Sequence, residues 1–340
     1  MAPQRQTVRD IARETGLSVA TVSRAMNDLG NVSPKTRDRV LAAARQLNYV
    51  PNPAARALST KRTRTIAAII PTIEHSIFAR FLTAIESELT QLGYSLVIAV
   101  SNNSAQEELE ATEKLLGLGA EGFIFTGLDH DPALFDLLDR RQVPHVLTSG
   151  WCARPQRPLI GYDNGALAAE AVNYLHNLGH RTIGIFHGPL TDNDRTRARL
   201  EGAQGAAVAG MASQPIKLHT IETELSVAGG SEAVGRLLAK SQDITAILCF
   251  SDILALGASF RLQQEGLSVP DHISLMGFDN LDWSASNTPP LTTIDLPTTR
   301  MGRLASAGLV NKLDHGHDIL AQNLEGKIIP RASTGRPRTP

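Results

Sequence analysis

Apolar positions in the first fifty residues recur with the spacing of short amphipathic helices. Val8, Ile11 and Ala12 fall on one face of a helix that Thr7 can cap and Gly16 can end. The polar residues between them fall on the opposite face. This pattern predicts a short first helix that packs on its neighbours through the apolar face.

Capping residues followed by apolar positions at helical spacing predict two more helices. Ser18 can cap a helix that carries Val22, and Ser33 can cap a third helix with Pro34 in its first turn. A helix, a tight turn at Gly16 and a second helix at this spacing form a helix-turn-helix, which places its second helix in the DNA major groove. The alternative is a three-helix bundle that packs on another part of the protein.

From residue 65 onwards, continuous apolar runs alternate with helical patterns. The apolar runs predict strands at 65–70, 95–100, 122–126, 145–148, 182–186, 216–219, 246–250 and 273–278. Helical patterns begin near residue 76 and cover 107–118, 132–140, 167–178, 195–209, 226–239 and 254–265. Strands that are apolar throughout predict an α/β fold of parallel sheets covered on both faces. The alternation restarts after Asp163, which predicts two lobes with a ligand cleft between them at the carboxyl ends of the strands.

The charge distribution favours DNA binding over the plain bundle. Residues 1–64 contain twelve Lys or Arg and four Asp or Glu, a net charge of +8. The other residues contain 21 basic and 30 acidic side chains, a net charge of −9. A basic segment suits a polyphosphate partner, and an acidic body limits non-specific association.

The basic segment PNPAARALSTKRTR, residues 51–64, joins the two regions. Asn52 can cap one or two helical turns that begin at Pro53, but a helix this short is marginal in water. One interpretation is a flexible basic linker. The other is a hinge that folds only on DNA, where small alanines allow a close approach and Leu58 inserts into a minor-groove step.

Composition narrows the class of protein further. The 340 residues are 42% hydrophobic, and the two cysteines, Cys152 and Cys249, show no pairing pattern. The polar N-terminus predicts no signal peptide, and no apolar run is long enough to span a bilayer. We therefore expect a cytoplasmic protein with access to the nucleoid and no membrane contact.

Motifs along the whole chain resemble those of the LacI/GalR family of bacterial transcriptional regulators. The matching segments are VRDIARETGLSVATVSRAMND (8–28), VSPKTRDRV (32–40), LNYVPNPAARAL (47–58), LGHRTIGIF (178–186), FSDILALGA (250–258), ISLMGFDN (273–280), PPLTTIDLP (289–297) and RASTG (331–335). The later motifs are weak individually, but their order and spacing are specific. The resemblance implies a homodimer that binds a double-stranded DNA operator and whose affinity is controlled by a small-molecule effector.

The resemblance also implies a domain organisation. Residues 1–50 would form the helix-turn-helix headpiece, 51–64 the hinge, and 65–340 a two-lobed, periplasmic-binding-protein-like core for effector binding and dimerisation. Lobe one would contain about 65–162 plus 293–323, and lobe two about 163–292 plus 324–335. The chain has no terminal leucine heptads, so a dimer is favoured over a helical tetramer.

DNA-binding roles follow from the same alignment. Val19, Ala20 and Arg24 fall where the family reads base edges, and Arg24 can donate two hydrogen bonds to guanine. Lys35 is expected at a phosphate, and Leu58 aligns with the family's intercalating leucine. Other predicted positions contact phosphates, cap helices or allow a close approach: Thr7, Ser18, Thr21, Ser23, Asn27, Ser33, Thr36, Asn52 and Ala55.

The effector cleft is predicted from strand ends and from the resemblance. Asp279 follows a strand and by similarity binds ligand hydroxyls, and Arg199 aligns with an arginine that contacts effectors across the family. A solvated helix face is the alternative for Arg199, and a helix cap is the alternative for Asp252. The cleft loops at 75–78 and 149–151 depart from the family pattern. The predicted effector-binding residues are Phe78, Ser149, Trp151, Arg199, Ser251, Asp252 and Asp279.

Other functions find less support in the sequence. A free sugar-binding protein would need a secretion signal and would lack a basic headpiece. An enzyme is not predicted, because the nucleotide-binding, nucleophile-elbow and HExxH motifs are missing, and no cofactor or metal is expected. A sugar or sugar derivative is the expected effector of a repressor. The rival is a purine or another metabolite that acts as a corepressor, with Trp151 or Phe78 stacking on it.

Overall fold

The computed structural model describes residues 6–27, 32–50, 57, 60–209 and 215–338, and it divides into two compact units, residues 1–63 and 64–340. In the first unit α1 spans Val8–Thr15, α2 spans Val19–Met26 and α3 spans Pro34–Gln46. Their shared core contains Ile11, Val22, Ala25, Val40 and Ala44. The three predicted helices are present, and their apolar faces meet as expected.

The second unit alternates strands with helices. Its strands are β1 (Thr65–Ile70), β2 (Ser95–Val100), β3 (Gly122–Thr126), β4 (His145–Thr148), β5 (Leu159–Gly161), β6 (Thr182–His187), β7 (Lys217–Glu222), β8 (Ala246–Cys249), β9 (Ser274–Met276), β10 (Thr293–Asp295), β11 (Gln322–Asn323) and β12 (Lys327–Ile329). Its helices are α4 (Ser76–Gln91), α5 (Ala105–Gly117), α6 (Pro132–Arg140), α7 (Asn164–Leu178), α8 (Asp194–Ala209), α9 (Val227–Lys240), α10 (Asp252–Gln264) and α11 (Thr298–His315).

Two parallel sheets form the two lobes. The sheet of lobe one has the strand order β11-β5-β4-β3-β1-β2, and the sheet of lobe two has the order β7-β6-β8-β9. Every strand pair within these two sheets is parallel. The predicted α/β fold with a two-lobed core and a helical headpiece is therefore confirmed. The short strand β5 is an addition that the apolar pattern did not predict.

The chain passes between the lobes more than once. After β9, strand β10 pairs antiparallel with β12, and α11 packs against α4 of lobe one. β11 then lies beside β5, so a segment from the end of the chain completes the sheet of lobe one. One apolar core runs through both lobes, because residues such as Ile66, Ile183 and Phe278 belong to a single buried cluster.

Close helix packing explains a glycine in each of two helices. A Cβ at Gly202 of α8 would lie 2.0 Å from the backbone oxygen of Gly165 in α7. A Cβ at Gly257 of α10 would lie 1.9 Å from the backbone oxygen of Val227 in α9. Both distances are far below van der Waals contact, so these helix pairs approach closely only because the side chain is a hydrogen atom. The first pair fixes the position of α8, which carries several cleft residues.

Candidate functional site

The headpiece exposes one side of its second helix. Val22 and Ala25 of α2 are buried in the core of the unit, whereas Val19 is 46% exposed and Ala20 and Arg24 are also exposed. The three positions predicted to read base edges thus lie on the solvent side of α2. An arginine beside small apolar side chains can recognise a guanine edge and a thymine methyl group.

Hydroxyl groups cap the helices that border this face. The Ser18 Oγ accepts a hydrogen bond of 3.1 Å from the backbone N–H of Thr21, and the Ser33 Oγ accepts one of 3.2 Å from the backbone N–H of Thr36. The two hydroxyls of each pair are also within hydrogen-bond distance, at 2.9 and 2.8 Å. The capping interpretation of Ser18 and Ser33 therefore agrees with the geometry. Their helix N-termini also favour nearby phosphate groups.

The other predicted DNA contacts differ in their surroundings. The Thr7 Oγ1 donates to the Asp10 carboxylate at 2.8 Å, the Asn27 amide donates to the Ser23 Oγ at 3.4 Å, and Lys35 is exposed. Three further predicted positions in the hinge lie outside the described residues: Asn52, Ala55 and Leu58.

A cavity lies between the two lobes, at the carboxyl ends of the parallel strands. Its lining from lobe one includes the loops after β1 and β4 and the start of α11, and its lining from lobe two includes α8 and the loops after β6, β8 and β9. Five of the predicted effector-binding residues line it: Phe78, Ser149, Arg199, Ser251 and Asp279. We call this space the inner cavity.

Arg199 is buried in the wall of the inner cavity, so the predicted alternative of a solvated helix face is wrong. The side chain is held in place by neighbours, because its Nε donates to the Asn164 Oδ1 at 2.9 Å and its Nη1 donates to the backbone oxygen of Phe250 at 2.6 Å. Its guanidinium carbon also lies 3.8 Å from the centre of the Phe278 ring. Burial lowers the pKa of the guanidinium, and the nearby Tyr162 opposes that shift.

Asp279 faces the same cavity with few partners of its own. Its Oδ2 accepts a hydrogen bond of 2.9 Å from the Ser251 Oγ, and its backbone has a φ of 133°, a conformation that favours glycine. Burial raises the pKa of this carboxyl to about 7; the Arg199 guanidinium opposes that shift and the like charge of Asp252 adds to it. A ligand that donates hydrogen bonds would stabilise the ionised form.

Two of the predicted effector-binding residues do not line the inner cavity. The Asp252 carboxylate is fully buried and accepts hydrogen bonds from the Leu281 N–H, the Ser284 Oγ and the Thr293 Oγ1, at 2.8, 2.5 and 2.6 Å. Its helix cap is Ser251, so the predicted capping alternative is also wrong. We therefore assign Asp252 a structural role in the loop that leads back to lobe one.

Trp151 is the second predicted residue that does not line the inner cavity. Its side chain packs on the apolar cluster that contains Phe123, Leu134 and Leu147, away from the residues of the inner cavity. Together with Asp194, Arg197 and Glu201 of lobe two, it lines a separate pocket between the lobes. Trp151 is therefore not among the residues that line the inner cavity, and its contact with an effector stays a prediction.

Sequence reasoning also missed residues that the fold brings into the inner cavity. These are Thr72, Asn103, Tyr162, Asn193, Arg195, Thr196 and Thr298, among others. Only the fold shows that these positions border the cavity. Asn193 and Arg195 lie where the loop after β6 leads into α8, and Thr298 is the first residue of α11. The hydroxyl of Thr298 is buried and has no hydrogen-bond partner among the described residues.

Hydrogen bonds join the lobes along one rim of the cavity. The Asp194 Oδ2 accepts from the backbone N–H of Leu128 at 2.6 Å, and the Arg195 Nη2 donates to the Asn103 Oδ1 at 3.0 Å. Both lobe-two residues belong to the first turn of α8, five and four positions before Arg199. The helix that carries Arg199 is thus bonded directly to lobe one.

A second set of bonds joins the lobes near α4. The Arg80 guanidinium donates to the backbone oxygen of Asn280 at 2.8 Å and to the Asp282 carboxylate at 3.2 Å. Asn280 directly follows Asp279, so a group bound at Asp279 lies next to an interlobe contact. A ligand that contacts both lobes can therefore change the equilibrium between lobe orientations.

Comparison with known proteins decides what this architecture is. A model described as "Bacterial regulatory proteins, lacI family" matches residues 7–52, and one described as "Periplasmic binding proteins and sugar binding domain of LacI family" matches residues 63–327. The chain belongs to the LacI family. It is a DNA-binding transcriptional regulator with a helix-turn-helix domain ahead of an effector-binding domain.

Individual relatives of this LacI-family protein cover nearly its full length. The transcriptional repressor CytR of Escherichia coli strain K12 is 32% identical over 332 residues, which are 96% of each chain. The lac repressor dimer bound to operator and the anti-inducer ONPF has a TM-score of 0.85 with 28% identity, covering 98% of this chain and 100% of that one. The complex of the regulator CelR with cellobiose has a TM-score of 0.69 with 26% identity, covering 97% and 100%.

These relatives are DNA-binding regulators rather than enzymes, in agreement with the motif analysis. Within the described ranges, none of the helices is both long and apolar enough to cross a membrane. Those same ranges contain no cluster of three or more metal-ligating side chains.

Proposed function

We propose that this LacI-family protein is a repressor that binds a near-palindromic operator as a homodimer and changes its operator affinity when a sugar-like effector binds in the inner cavity. The observation that carries the proposal is the buried pair of Asp279 and Arg199 in one cavity wall. The lac repressor dimer bound to operator supports the proposed assembly, because it has the same fold over nearly the whole chain.

The domain assignment follows from this function. We assign residues 1–50 to the headpiece, 51–64 to the hinge and 65–340 to the core, with 65–162 plus 293–323 in lobe one and 163–292 plus 324–335 in lobe two. Lys35 and the capping hydroxyls contact phosphates, and the exposed side of α2 reads bases. The hinge connects effector binding to the spacing of the two headpieces.

A sugar fits the chemistry of the inner cavity. A carboxylate accepts hydrogen bonds from hydroxyl groups, and a guanidinium donates to ring or hydroxyl oxygens, so Asp279 and Arg199 together suit a polyol. The apolar side chain of Phe78 lines the same space and can cover one face of a sugar ring. The CelR complex with cellobiose supports this class of ligand in a protein of the same family.

A purine corepressor is the second candidate, and a specific observation favours it. Phe78, Phe81 and Phe250 all line the inner cavity, and aromatic side chains can stack on a planar base. Asp279 would then accept hydrogen bonds from ring N–H or amino groups. The two classes differ in the sign of the response as well, since a corepressor strengthens operator binding and an inducer weakens it.

Operator selection followed by ligand titration tests the proposal. DNA selected from a random pool by the purified full-length protein supplies the operator, and its affinity is then measured with sugars, sugar acids and nucleobases. We expect a sugar to change operator affinity by a factor of about 5–150 and to raise the melting temperature of the protein. A nucleobase that produces these effects in place of sugars would establish the second candidate.

The base-reading role of α2 predicts unequal effects of two substitutions. Arg24→Ala should weaken binding to the selected operator by about 1–3 kcal/mol and relax discrimination at one base pair, because a bidentate contact to a guanine is lost. Lys35→Ala should weaken all DNA sequences alike and reduce the dependence of affinity on salt. Binding titrations with single-base operator variants at several salt concentrations separate the two. Equal, sequence-independent losses would contradict base reading by Arg24.

Effector affinity should also depend on pH. The Asp279 carboxyl has a pKa of about 7 in the free protein, and hydroxyl donors from a ligand would lower that pKa. Binding is then strongest above pH 7 and weakens by up to about tenfold per unit below it, with proton release on binding. Calorimetric titrations between pH 5.5 and 8.5, in buffers of different ionisation enthalpy, measure both effects.

A matched variant isolates the carboxyl as the titrating group. His75 also lines the inner cavity and serves as the control position. His75→Gln should keep the pH dependence if Asp279 is responsible. An affinity that stays constant across this pH range in the wild-type protein would show that the ligand does not bind the ionised carboxylate.

A further inference from the structure

A second, more polar pocket adjoins the inner cavity. It is formed by the loops that follow β1, β2 and β3 in lobe one and by the residues just before and at the start of α8 in lobe two. Pro71, Asn103 and Arg195 line both spaces, so the hydrogen bond between Arg195 and Asn103 stands at their junction. We call this space the outer pocket.

An unpartnered hydroxyl in the outer pocket points to a ligand. Thr126 lines the pocket at the end of β3 and is only 7% exposed, yet its Oγ1 has no hydrogen-bond partner among the described residues. A buried polar group without a partner is unfavourable unless another molecule supplies one. Thr148, which lies opposite Thr126 in the parallel pair of β3 and β4, provides a contrast, because its Oγ1 donates to the Phe125 backbone oxygen at 2.6 Å.

The charge of the outer pocket restricts the group that can occupy it. Its described lining includes five carboxylates: Glu108, Asp129, Asp131, Asp192 and Asp194. Among the described residues, Arg195 pairs with Asp194, Arg197 pairs with Asp129 from outside the lining, and His130 is bonded to Glu108 at 2.8 Å, so the lining stays acidic. Carboxylates accept hydrogen bonds from hydroxyl groups and repel phosphate. The pocket thus suits a neutral, hydroxyl-rich ring.

We propose that the effector is an uncharged glycoside of two rings, with one ring in the inner cavity and a hydroxylated second ring in the outer pocket. This inference rests on the proposed function, because it takes the inner cavity as the effector site. The bond between the rings would pass Arg195 and Asn103, and a hydroxyl of the outer ring would pair with the Thr126 Oγ1. An O-linked disaccharide and an N-linked nucleoside share this chemistry.

Paired probes test the number of rings. The purified full-length protein is titrated by calorimetry with cellobiose, maltose and lactose against glucose and galactose. It is also titrated with adenosine and uridine against ribose, adenine and uracil. A two-ring probe should bind at least about tenfold more tightly than either of its single rings, and a nucleoside 5′-monophosphate should bind more weakly than its nucleoside. Binding of a disaccharide or of a nucleoside shows which of these two kinds of glycoside is the effector.

Two valine substitutions of similar shape locate the second ring. Thr126→Val should weaken the two-ring probe about three- to tenfold and leave its single rings unchanged, because one hydrogen bond is lost. Its unfolding midpoint in urea should not fall, since the removed hydroxyl has no partner in the free protein. Thr148→Val should lower that midpoint and leave the affinity for the two-ring probe unchanged.

The outcomes separate this inference from the proposed function. If single rings bind as tightly as two-ring probes and Asp279→Asn abolishes their binding, the inner cavity is the effector site as proposed. In that case the proposal of a second ring in the outer pocket is wrong. If a two-ring probe binds but neither Asp279→Asn nor Thr126→Val weakens it, both proposals fail. If none of the probes binds, the glycoside class is wrong.

Discussion

Asp279→Asn should abolish the effector response while leaving operator affinity in the absence of effector within about twofold of wild type. The substitution keeps the shape of the side chain but removes the charge that accepts hydroxyl donors, and hydrogen bonds to a charged group contribute about 1.5–3 kcal/mol each. Effector affinity should therefore fall by a factor of about ten or more. Asparagine has nearly the same shape as aspartate, so the backbone strain at this position stays the same.

Operator titrations with and without effector measure both parts of this result. Glu113→Gln provides the matched control, because it removes one carboxylate charge from an exposed position on α5, outside the inner cavity. The control should respond to effector as the wild type does. An Asp279→Asn protein that responds at the same effector concentration would show that the ligand binds elsewhere. Loss of operator binding as well would make Asp279 a structural residue.

Asp252→Ala should act on stability instead, and lower the free energy of unfolding by about 3 kcal/mol or more. Removing its carboxylate leaves the donors of Leu281, Ser284 and Thr293 without partners in a buried position, and each unsatisfied group costs about 1–3 kcal/mol. Urea unfolding of the purified protein measures the change. Asp282→Ala is the comparison, since the Asp282 carboxylate is solvent-exposed and its ion pair with Arg80 lies at the surface.

A stability change within about 0.5 kcal/mol for Asp252→Ala would contradict this assignment. It would mean that the loop donors find water or other protein groups when the carboxylate is absent. The Asp279→Asn and Asp252→Ala variants together thus distinguish two aspartates that follow the ends of neighbouring strands and look alike in the sequence.

The sequence predicted the long elements because their periodicity is repeated many times. The strand TIAAII is apolar throughout and matches β1, and the helix predicted at Pro132–Arg140 has the observed bounds. The short strand Leu159–Gly161 was missed, since three residues cannot display a period. Its strand conformation is fixed by pairing with β4 and with β11, which lies more than 150 positions later in the chain.

The site was harder to predict than the fold because side-chain direction depends on distant contacts. Asp252 and Asp279 both follow strands of lobe two, but only the donors of the 281–293 loop reveal that Asp252 is already satisfied. Trp151 also follows a strand end, yet its side chain packs on the apolar cluster of Phe123 and Leu134 and lines a separate pocket between the lobes. The sequence did not predict a cavity position for Thr298, because a threonine at the start of a helix is usually interpreted as a helix cap.

The backbone conformation of Asp279 lowers the stability of the protein, whereas its side chain is proposed to serve regulation. A non-glycine residue at a φ of 133° carries strain of about 1–3 kcal/mol, which glycine would relieve. Directed evolution for heat resistance alone would therefore favour replacement of this aspartate. With Asp279 as the proposed effector ligand, the resulting proteins would fold and bind DNA but would no longer respond to effector. Directed evolution of a more heat-stable variant that keeps its regulation therefore requires selection for the effector response in every round.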